Sequence, residues 1–467
     1  MKNVTKRRWF ILLLFFIIYG ILVGASLDHA PWEFKDSWRQ ADTYSVGMDY
    51  AAHGIDLLAP RFQYYGPRAK VVQLELMVLP ALGALLGGSH PEAVHFRVVA
   101  AGFFFLSAVS LFLFVEKKRD QRAAVLSTLL YLILPFSLFY SRAIMPEALV
   151  LSGYVSSFYF LLRYREDGGK LSLLLSAITM AFALSQKLTA GFLGIVPVGI
   201  LWMENPRKFF LRWETYVYGI ISLGLPLAYY LKLSPSTGEN FVGQIFFKYV
   251  LSGGQWGEGF QRILDFLVRG ATVPVIILAV GGLLCALIRR DSFSLLWLLG
   301  LILSTWPIIG GIQLDYYIIL WLPFLAFLAG EFLSFAKWSV ASATAYAMIF
   351  FLVTSMGLDF FYGKSALDDG LSGTMVLVNR YIPKGAFIAT NGESPVVISA
   401  SMNPGYRLPM NEHSTQRELL DALEEGMEYY VFKKDQYMDP IQMKIIQARG
   451  VLVDQNIHAA IFKMEGP

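Results

Sequence analysis

The chain has 467 residues, of which 55% are hydrophobic and 16% are charged, and its mean hydropathy is +0.51. Soluble proteins carry about 25% charged residues, so this composition excludes a soluble globular protein and indicates a chain solvated largely by lipid. The 39 Lys and Arg residues nearly balance 35 Asp and Glu residues, which argues against an extended nucleic-acid interface, and the single cysteine excludes an intrachain disulfide and a cysteine-based zinc site.

Uncharged stretches close to the length that crosses about 30 Å of hydrocarbon recur along the chain. Eleven of them predict transmembrane helices, at approximately 9–27, 98–115, 123–141, 148–162, 171–186, 188–203, 215–231, 270–288, 292–314, 316–330 and 338–358. A twelfth run at 76–88 has 13 uncharged residues interrupted by Pro80, and it predicts an interfacial or re-entrant helix at the membrane surface. The first stretch also resembles a cleaved signal peptide, with basic residues at 6–8 and a small-residue site at 23–25, but its length favours a retained span.

Lys and Arg are unevenly distributed between the loops. If the amino end is inside, the cytoplasmic segments hold 17 basic residues in 44 positions; these segments are 1–8, 116–122, 163–170, 204–214, 289–291 and 331–337. The later external segments hold 6 basic residues in 46 positions; these segments are 142–147, 187, 232–269 and 315. By the positive-inside rule, the first loop (28–97) and the tail (359–467) then lie outside.

The tail has the composition of a soluble domain. Short apolar or alternating runs predict strands at 386–390, 395–400, 429–432, 451–453 and 459–462. Between them, Thr415 and Glu418 form a capping-box pattern that predicts the start of a helix. The tail is therefore expected to be a small external α/β domain.

The predicted spans contain no ionisable residues, whereas proton-coupled and ion transporters place such residues inside the membrane. The polar residues collect instead in the external loops. This arrangement favours an enzyme that acts at the bilayer surface on a lipid-borne substrate.

The densest polar stretch in the first loop is Asp-Ser-Trp-Arg-Gln-Ala-Asp-Thr-Tyr at 36–44. As a helix ended by Gly54, it would place Trp38 and Asp42 four residues apart on one face, with Asp49 seven residues beyond Asp42. An amphipathic interfacial helix with merely solvated charges is the alternative.

Three motifs in this order resemble the polytopic membrane glycosyltransferases of the GT-C type. They are Trp-Arg-Gln-Ala-Asp-Thr at 38–43 with Leu-Ala-Pro-Arg-Phe at 58–62, Tyr-Ser-Arg-Ala-Ile-Met-Pro-Glu at 140–147, and Leu-Asp-Tyr-Tyr at 314–317. Within this type, the chain resembles bacterial relatives of protein O-mannosyltransferases and of the lipid A aminoarabinose transferase, over residues 9–330. Two departures stand out: Arg39 and Gln40 lie near the register of the family's Asp-Glu pair, and only Glu75 remains of its Glu-Lys-Pro-Pro element. The missing phosphate-binding lysine could be replaced by Lys70, Arg68 or Arg61.

The resemblance implies an α-helical polytopic membrane domain at 1–358, with interfacial helices in the first external loop, and an external α/β domain at 359–467. It also implies an inverting enzyme that moves a sugar from a polyprenyl-phosphate donor to a lipid, glycan or protein acceptor. Its setting would be a bacterial inner membrane, with the active site and the tail on the periplasmic side. No cofactor is required, and a divalent cation held by carboxylates stays open. The six histidines show no metal-ligand spacing.

Such a reaction needs one carboxylate as general base and cations on the departing phosphate. The catalytic candidates are Asp42 first, Asp36 second, and Glu147. The substrate-binding candidates are Arg39, Gln40, Trp38, Glu75, Arg142, Lys187, Asp315 and Tyr316. The residues of the first loop are expected to meet Arg142 and Glu147 in one external pocket.

Structural roles compete with several of these assignments. Glu147 follows Pro146 and also suits the amino end of a helix, and Arg142 could be an interfacial residue that extends its charge to water. Lys187 could cap a helix carbonyl, and Tyr316 could be a membrane-interface aromatic.

Two other functions are compatible with the sequence. One is a polymerase or ligase for polyprenyl-diphosphate glycans, which would use Trp256, Arg262 and Arg269 in the segment 232–269. The other is a lipid-linked sugar flippase without enzymatic activity.

Overall fold

The computed structural model describes residues 2–204, 206–233, 256–392, 394–408, 415–436 and 439–465. Their α-helices are α1 (Lys2–Gly24), α2 (Ser37–His53), α3 (Val78–Gly87), α4 (Ala93–Lys118), α5 (Gln121–Ile133), α6 (Pro135–Tyr140), α7 (Glu147–Asp167), α8 (Lys170–Gln186), α9 (Ile195–Glu204), α10 (Trp213–Lys232), α11 (Trp256–Ala271), α12 (Val273–Ile288), α13 (Ser292–Ile312), α14 (Leu322–Ser334), α15 (Val340–Ser365), α16 (Asp369–Tyr381), α17 (Val396–Ser401), α18 (Thr415–Glu424) and α19 (Pro440–Arg449). Three-residue-per-turn helices occur at Leu188–Gly194, Phe209–Leu211 and Asp315–Trp321. The strands are β1 (Arg61–Phe62), β2 (Tyr65–Gly66), β3 (Lys70–Val71), β4 (Ile388–Thr390), β5 (Gly405–Arg407), β6 (Tyr429–Lys433), β7 (Gly450–Gln455) and β8 (Ala459–Met464).

Every predicted span falls on a helix or on a helix interrupted by a short break. The third span is split into α5 and α6 at Pro135, which has no N–H to continue the helical hydrogen-bond ladder. Within the described residues, four helices are long and apolar enough to cross a membrane, at Lys6–Gly24, Ala93–Lys118, Asp315–Ser334 and Val340–Ser365, and the bent pair α11–α12 would make a fifth. The number of eleven spans therefore stays a prediction. The run at 76–88 forms the ten-residue helix α3.

The membrane helices form one compact unit, made of the described residues within Met1–Leu27, Val98–Lys232 and Phe241–Gly363. Helices α7 and α8 pack closely, because a side chain at Gly153 would meet the backbone of α8 at Ala183 within 3 Å. This close approach lies near the end of the pair where Glu147 begins α7 and Lys187 follows α8.

Ion pairs join three segments that are predicted to be cytoplasmic. Glu331 is fully buried, and its Oε1 atom accepts from Arg119 Nε at 2.5 Å and from Arg289 at 2.8 Å. Asp291 accepts from Arg119 at 2.6 Å and from Lys118 at 2.8 Å. Burial alone would raise the pKa of Asp291, but the two cations outweigh it and lower the pKa to about 2.

The second unit contains the described residues within Asp28–Arg97, Leu233–Asn240 and Lys364–Pro467. Its six-stranded sheet has the order β2-β5-β4-β6-β8-β7, in which β4 is parallel to both β5 and β6. Strand β2 comes from the first loop and pairs antiparallel with β5 from the tail. The first loop therefore folds with the tail, whereas the predicted division grouped it with the membrane helices. The physical reason is a shared core, in which α2 packs against α17.

One predicted strand of the tail is wrong. Residues 395–400 lie mostly in the helix α17, while β4, β6, β7 and β8 occupy the other predicted runs and α18 begins at Thr415. Val396, Val397 and Ile398 are all buried, so the run shows no alternation that would distinguish a strand from a buried helix. Strand β5 and helices α16 and α19 were not predicted.

Candidate active site

Glu147 and Lys187 form a buried ion pair in the membrane unit. Lys187 Nζ lies 2.8 Å from Glu147 Oε1, and Glu147 is 1% exposed. Its second oxygen, Oε2, has no hydrogen-bond partner among the described residues. Because Glu147 opens α7, the positive end of the helix dipole also favours its carboxylate.

Two aromatic rings lie beside the ammonium of Lys187. Its ammonium lies 4.6 Å from the ring centre of Tyr316 and 4.1 Å from that of Tyr317, and the two rings stack at 4.8 Å. Nearby in the chain, Asp315 Oδ1 accepts a hydrogen bond of 2.9 Å from the Tyr140 hydroxyl. Ring faces attract cations, so the ammonium is stabilised on more than one side. The structure thus brings Lys187 into contact with Glu147, from another predicted external segment, and with Tyr316, from the start of the predicted span 316–330.

Arg142 is fully buried, in contrast to an interfacial residue whose head group reaches water. Its guanidinium carbon lies 5.5 Å from the ring centre of Phe139 and 4.9 Å from that of Phe361. The N–H groups of a guanidinium lie in its plane, and their arrangement suits the oxygens of a phosphate.

In the second unit, Asp36 immediately precedes α2 and adopts a left-handed backbone conformation, with φ at 54°. Its side chain makes no capping hydrogen bond to the helix, and Lys35 Nζ lies 3.4 Å from Asp36 Oδ2. Positive φ is costly for a residue with a Cβ atom and is concentrated at functional positions. Helix α2 ends before Gly54, as the sequence predicts.

Asp42 is buried in the second unit rather than placed on a solvated helix face. Its Oδ1 accepts from Ser399 Oγ at 3.0 Å, and its Oδ2 accepts from the Tyr64 hydroxyl at 3.4 Å. Burial disfavours the carboxylate and raises the pKa of Asp42 to about 7, although the charges of Arg39 and Arg407 act in the opposite direction. Asp42 therefore joins α2 to α17 and to the loop around β2.

The remaining first-loop candidates are engaged with protein groups. Arg39 forms an ion pair with Glu75, which is buried. Trp38 is 43% exposed, and the guanidinium of Arg407 lies 5.0 Å from its ring centre and 4.9 Å from that of Tyr64. Trp38 is thus the candidate of this group that presents a large accessible ring.

Gln40 belongs to a buried polar network at the base of the first loop. Its Oε1 accepts from Arg97 at 3.0 Å, its Nε2 donates to Glu33 at 3.1 Å, and Arg97 pairs with Glu33 at 3.2 Å. All three side chains are fully buried. This network accounts for Gln40 structurally, and its role in substrate binding stays a prediction.

Sequence reasoning missed several residues that contact the candidates: Glu33, Arg97, Tyr64, Ser399, Arg407, Tyr140 and Phe361. The only local signal was for Glu33 and Arg97, which are charged residues close to the ends of two hydrophobic runs. The described residues include no group of three or more His, Cys, Asp or Glu side chains that could hold a metal ion.

The family model of dolichyl-phosphate-mannose-protein mannosyltransferases matches residues 86–234. No curated protein sequence matches the chain. The structure of ArnT from Cupriavidus metallidurans bound to undecaprenyl phosphate is similar with a TM-score of 0.72 and 11% identity, covering 99% of each chain. The Archaeoglobus fulgidus oligosaccharyltransferase AglB, in complex with an inhibitory peptide and a dolichol-phosphate, has a TM-score of 0.63 and 11% identity, covering 92% of this chain and 69% of that chain.

At such low identity these structures establish the fold, and the family match adds a sequence relationship over the helices that carry Glu147 and Lys187. Fold and family match together agree with the membrane glycosyltransferase that the motifs predicted. The predicted resemblance is confirmed: the chain has the fold of the GT-C membrane glycosyltransferases, and its residues 86–234 match the mannosyltransferase family of that type.

Proposed function

We propose that this chain is an inverting glycosyltransferase that moves a sugar from a polyprenyl-phosphate donor to an acceptor on the periplasmic face of a bacterial inner membrane. The observation that carries the proposal is the buried ion pair of Glu147 and Lys187, together with the contact of Lys187 with the ring of Tyr316. The acceptor would be a lipid, a glycan or a protein.

Lys187 is proposed to bind the donor phosphate. An ammonium needs an anionic partner when it is removed from water, and here Glu147 supplies it. A phosphate would add a second anion to the ammonium, while Glu147 keeps the side chain in position. Undecaprenyl phosphate and dolichol-phosphate are bound by the ArnT and AglB structures that share the fold, which supports a polyprenyl phosphate as the ligand.

Arg142 is the second proposed phosphate ligand. Its guanidinium is held by Phe139 and Phe361, so little side-chain entropy would be lost on binding. Each such preorganised donor could lower the barrier by about 3 kcal/mol, because charge on the leaving phosphate grows as the sugar departs. Asp315 and Tyr316 would hold the sugar or the walls of its site.

In the proposed reaction, an acceptor hydroxyl oxygen attacks the anomeric carbon from the face opposite the phosphate. The new oxygen–carbon bond forms as the bond from that carbon to the phosphate oxygen breaks, which inverts the anomeric centre. The hydroxyl proton passes to a carboxylate, and the electron pair of the broken bond stays on the polyprenyl phosphate. The phosphate is a stable anion and needs no acid to leave, so one base is sufficient.

Asp36 is our proposed base, in preference to Asp42. The Asp36 side chain is 12% exposed and precedes α2 in a strained backbone conformation, whereas Asp42 is buried and its two oxygens accept from hydroxyl groups. We assign Asp42 a positioning role, in which it fixes α2 and thereby Asp36 and Trp38.

The distribution of ion pairs supports the predicted topology. Arg119, Asp291 and Glu331 join segments that were all predicted to be cytoplasmic, and Glu147 and Lys187 join segments that were all predicted to be external. The side that holds Arg119, Asp291 and Glu331 has the excess of Lys and Arg, so it is proposed to face the cytoplasm. The group of Lys187, Glu147, Tyr316 and Tyr317, called the Lys187 cluster below, is then proposed to be periplasmic.

Purified protein in lipid nanodiscs, supplied with a panel of polyprenyl-phosphate sugars and candidate acceptors, tests the proposal. We expect release of free polyprenyl phosphate together with a glycosylated acceptor of inverted anomeric configuration. Release of a polyprenyl diphosphate would instead favour the polymerase or ligase, whose candidates Arg262 and Arg269 are engaged in ion pairs with Glu258 and Asp265. Movement of the donor across the membrane of lipid vesicles, without release of polyprenyl phosphate, would favour the flippase.

A further inference from the structure

Helix α11 has three different faces along its length. Ile263 and Leu267 are buried against the membrane unit. Phe260, Leu264 and Val268 follow one another at a spacing of four residues and are 53%, 49% and 43% exposed. Residues at this spacing form one stripe on a helix, so α11 carries an apolar stripe that the described part of the chain leaves exposed.

A polar stripe runs beside the apolar one. Asp265 and Arg269 pair at 2.6 Å, Glu258 and Arg262 pair at 2.8 Å, and the neighbouring Gln261 is also exposed. Ion pairs of this kind, four residues apart and open to solvent, are typical of a helix face in water. One side of the exposed surface therefore suits hydrocarbon and the other suits water.

A sharp corner separates α11 from the apolar helix α12. The two axes differ by 109°, and Thr272 at the corner has φ at 70°. Pro274 lies in the first turn of α12, where its missing N–H leaves no helical bond unmade. At the other side of the corner, Gly270 allows α11 to approach the ring of Phe136. If α12 crosses the bilayer, α11 must run nearly parallel to the membrane plane.

We infer that α11 is an interfacial helix that binds the phospholipid bilayer, with Phe260, Leu264 and Val268 among the acyl chains and the charged stripe in the head-group layer. It packs against the short helix Asp315–Trp321, whose Tyr316 and Tyr317 contact Lys187. The membrane-binding surface of α11 is thus on the same side of the membrane unit as the Lys187 cluster. The inference does not depend on the proposed activity.

Site-directed spin labelling of the full chain in phospholipid nanodiscs tests this inference. Cys285 is the only cysteine, so C285A provides the background for the single substitutions L264C and Q261C. We expect the nitroxide at position 264 to collide more often with oxygen and that at 261 to collide more often with a water-soluble nickel chelate, with their collision ratios differing severalfold. Because both side chains are exposed, neither substitution should disturb folding.

Two further labels calibrate the measurement. I277C lies on an exposed face of α12 and serves as the hydrocarbon reference, and I457C is exposed in the tail and serves as the aqueous reference. A label at Leu264 that matches I457C would overturn the inference by placing the stripe in water. Low collision rates with both reagents would also overturn it, because the stripe would then be covered by another copy of the chain.

Discussion

The ammonium of Lys187 and the carboxylate of Glu147 meet at 2.8 Å although 40 residues separate them in the chain. Both side chains are nearly inaccessible, so each charge compensates the other in a place from which water is largely excluded. Removal of one charge alone would leave the other buried and uncompensated. A loss of activity in such a single variant could then result from destabilisation of the fold rather than from loss of a substrate contact.

The charge-balanced variant K187M/E147Q separates these effects. We expect the thermal midpoint in detergent to stay close to that of the natural protein, because both charges are removed together. Turnover should fall on the order of 100-fold, since the phosphate loses its ammonium partner. Binding of polyprenyl phosphate, followed by isothermal calorimetry, should weaken in parallel. Unchanged binding and turnover would remove Lys187 from the donor site.

The variants D36N and D42N distinguish a base from a positioning residue. D36N should lower the turnover number on the order of 100-fold or more without a change in donor affinity, because only proton removal from the acceptor is lost. D42N keeps the shape of the side chain and should reduce turnover far less. Both are measured as initial rates of polyprenyl-phosphate release; the opposite pattern would make Asp42 the base.

The stability of the protein should depend on pH through Asp42. Its usual pKa of 3.8 in the unfolded chain is raised to about 7 in the fold, chiefly by burial. Between about pH 4 and 7 the unfolded chain therefore releases this proton first, so rising pH lowers the free energy of unfolding. Below pH 4 the carboxyl is neutral in both the folded and the unfolded chain, so Asp42 no longer lowers the free energy of unfolding. Thermal midpoints from pH 4 to 8 should fall less steeply for D42N than for the natural protein, and parallel curves would contradict the prediction.

The ion pairs of Glu331 should stabilise the membrane unit. R119M leaves the fully buried Glu331 with Arg289 as its cationic partner and removes a partner of Asp291. We expect this variant to lower the free energy of unfolding by on the order of 3 kcal/mol. The control is R163A, because Arg163 and Asp167 are both about half exposed and such pairs contribute about 0 to 1 kcal/mol. Thermal unfolding in detergent should show a clearly lower midpoint only for R119M; equal midpoints would refute a stabilising role.

Deletion of residues 365–467 should unfold the first loop. Strand β2 would lose its partner β5, and Asp42 would lose Ser399. We expect trypsin to cleave rapidly after Arg61 or Arg68 in the truncated chain, while the full chain resists at the same protease ratio. Equal resistance of the two chains would show that the loop folds without the tail.

Much of the helical plan could be predicted because hydrophobic runs of this length need lipid or a buried core. The same reasoning failed at 395–400, where a buried run without alternation fits either a strand or a helix. It also could not assign Gln40, whose partners Glu33 and Arg97 become neighbours only after folding.

Composition, the apolar runs and the loop charges determined that this protein belongs in a membrane and which polar residues are candidates for its site, since these properties depend on each segment alone. Tertiary structure decided which of those residues act together. Lys187 reached Glu147 because α7 and α8 pack closely, and Asp42 was enclosed by Ser399, which lies 357 residues away. Burial and charge pairing set the chemistry of a side chain, and both depend on neighbours that the local sequence does not contain.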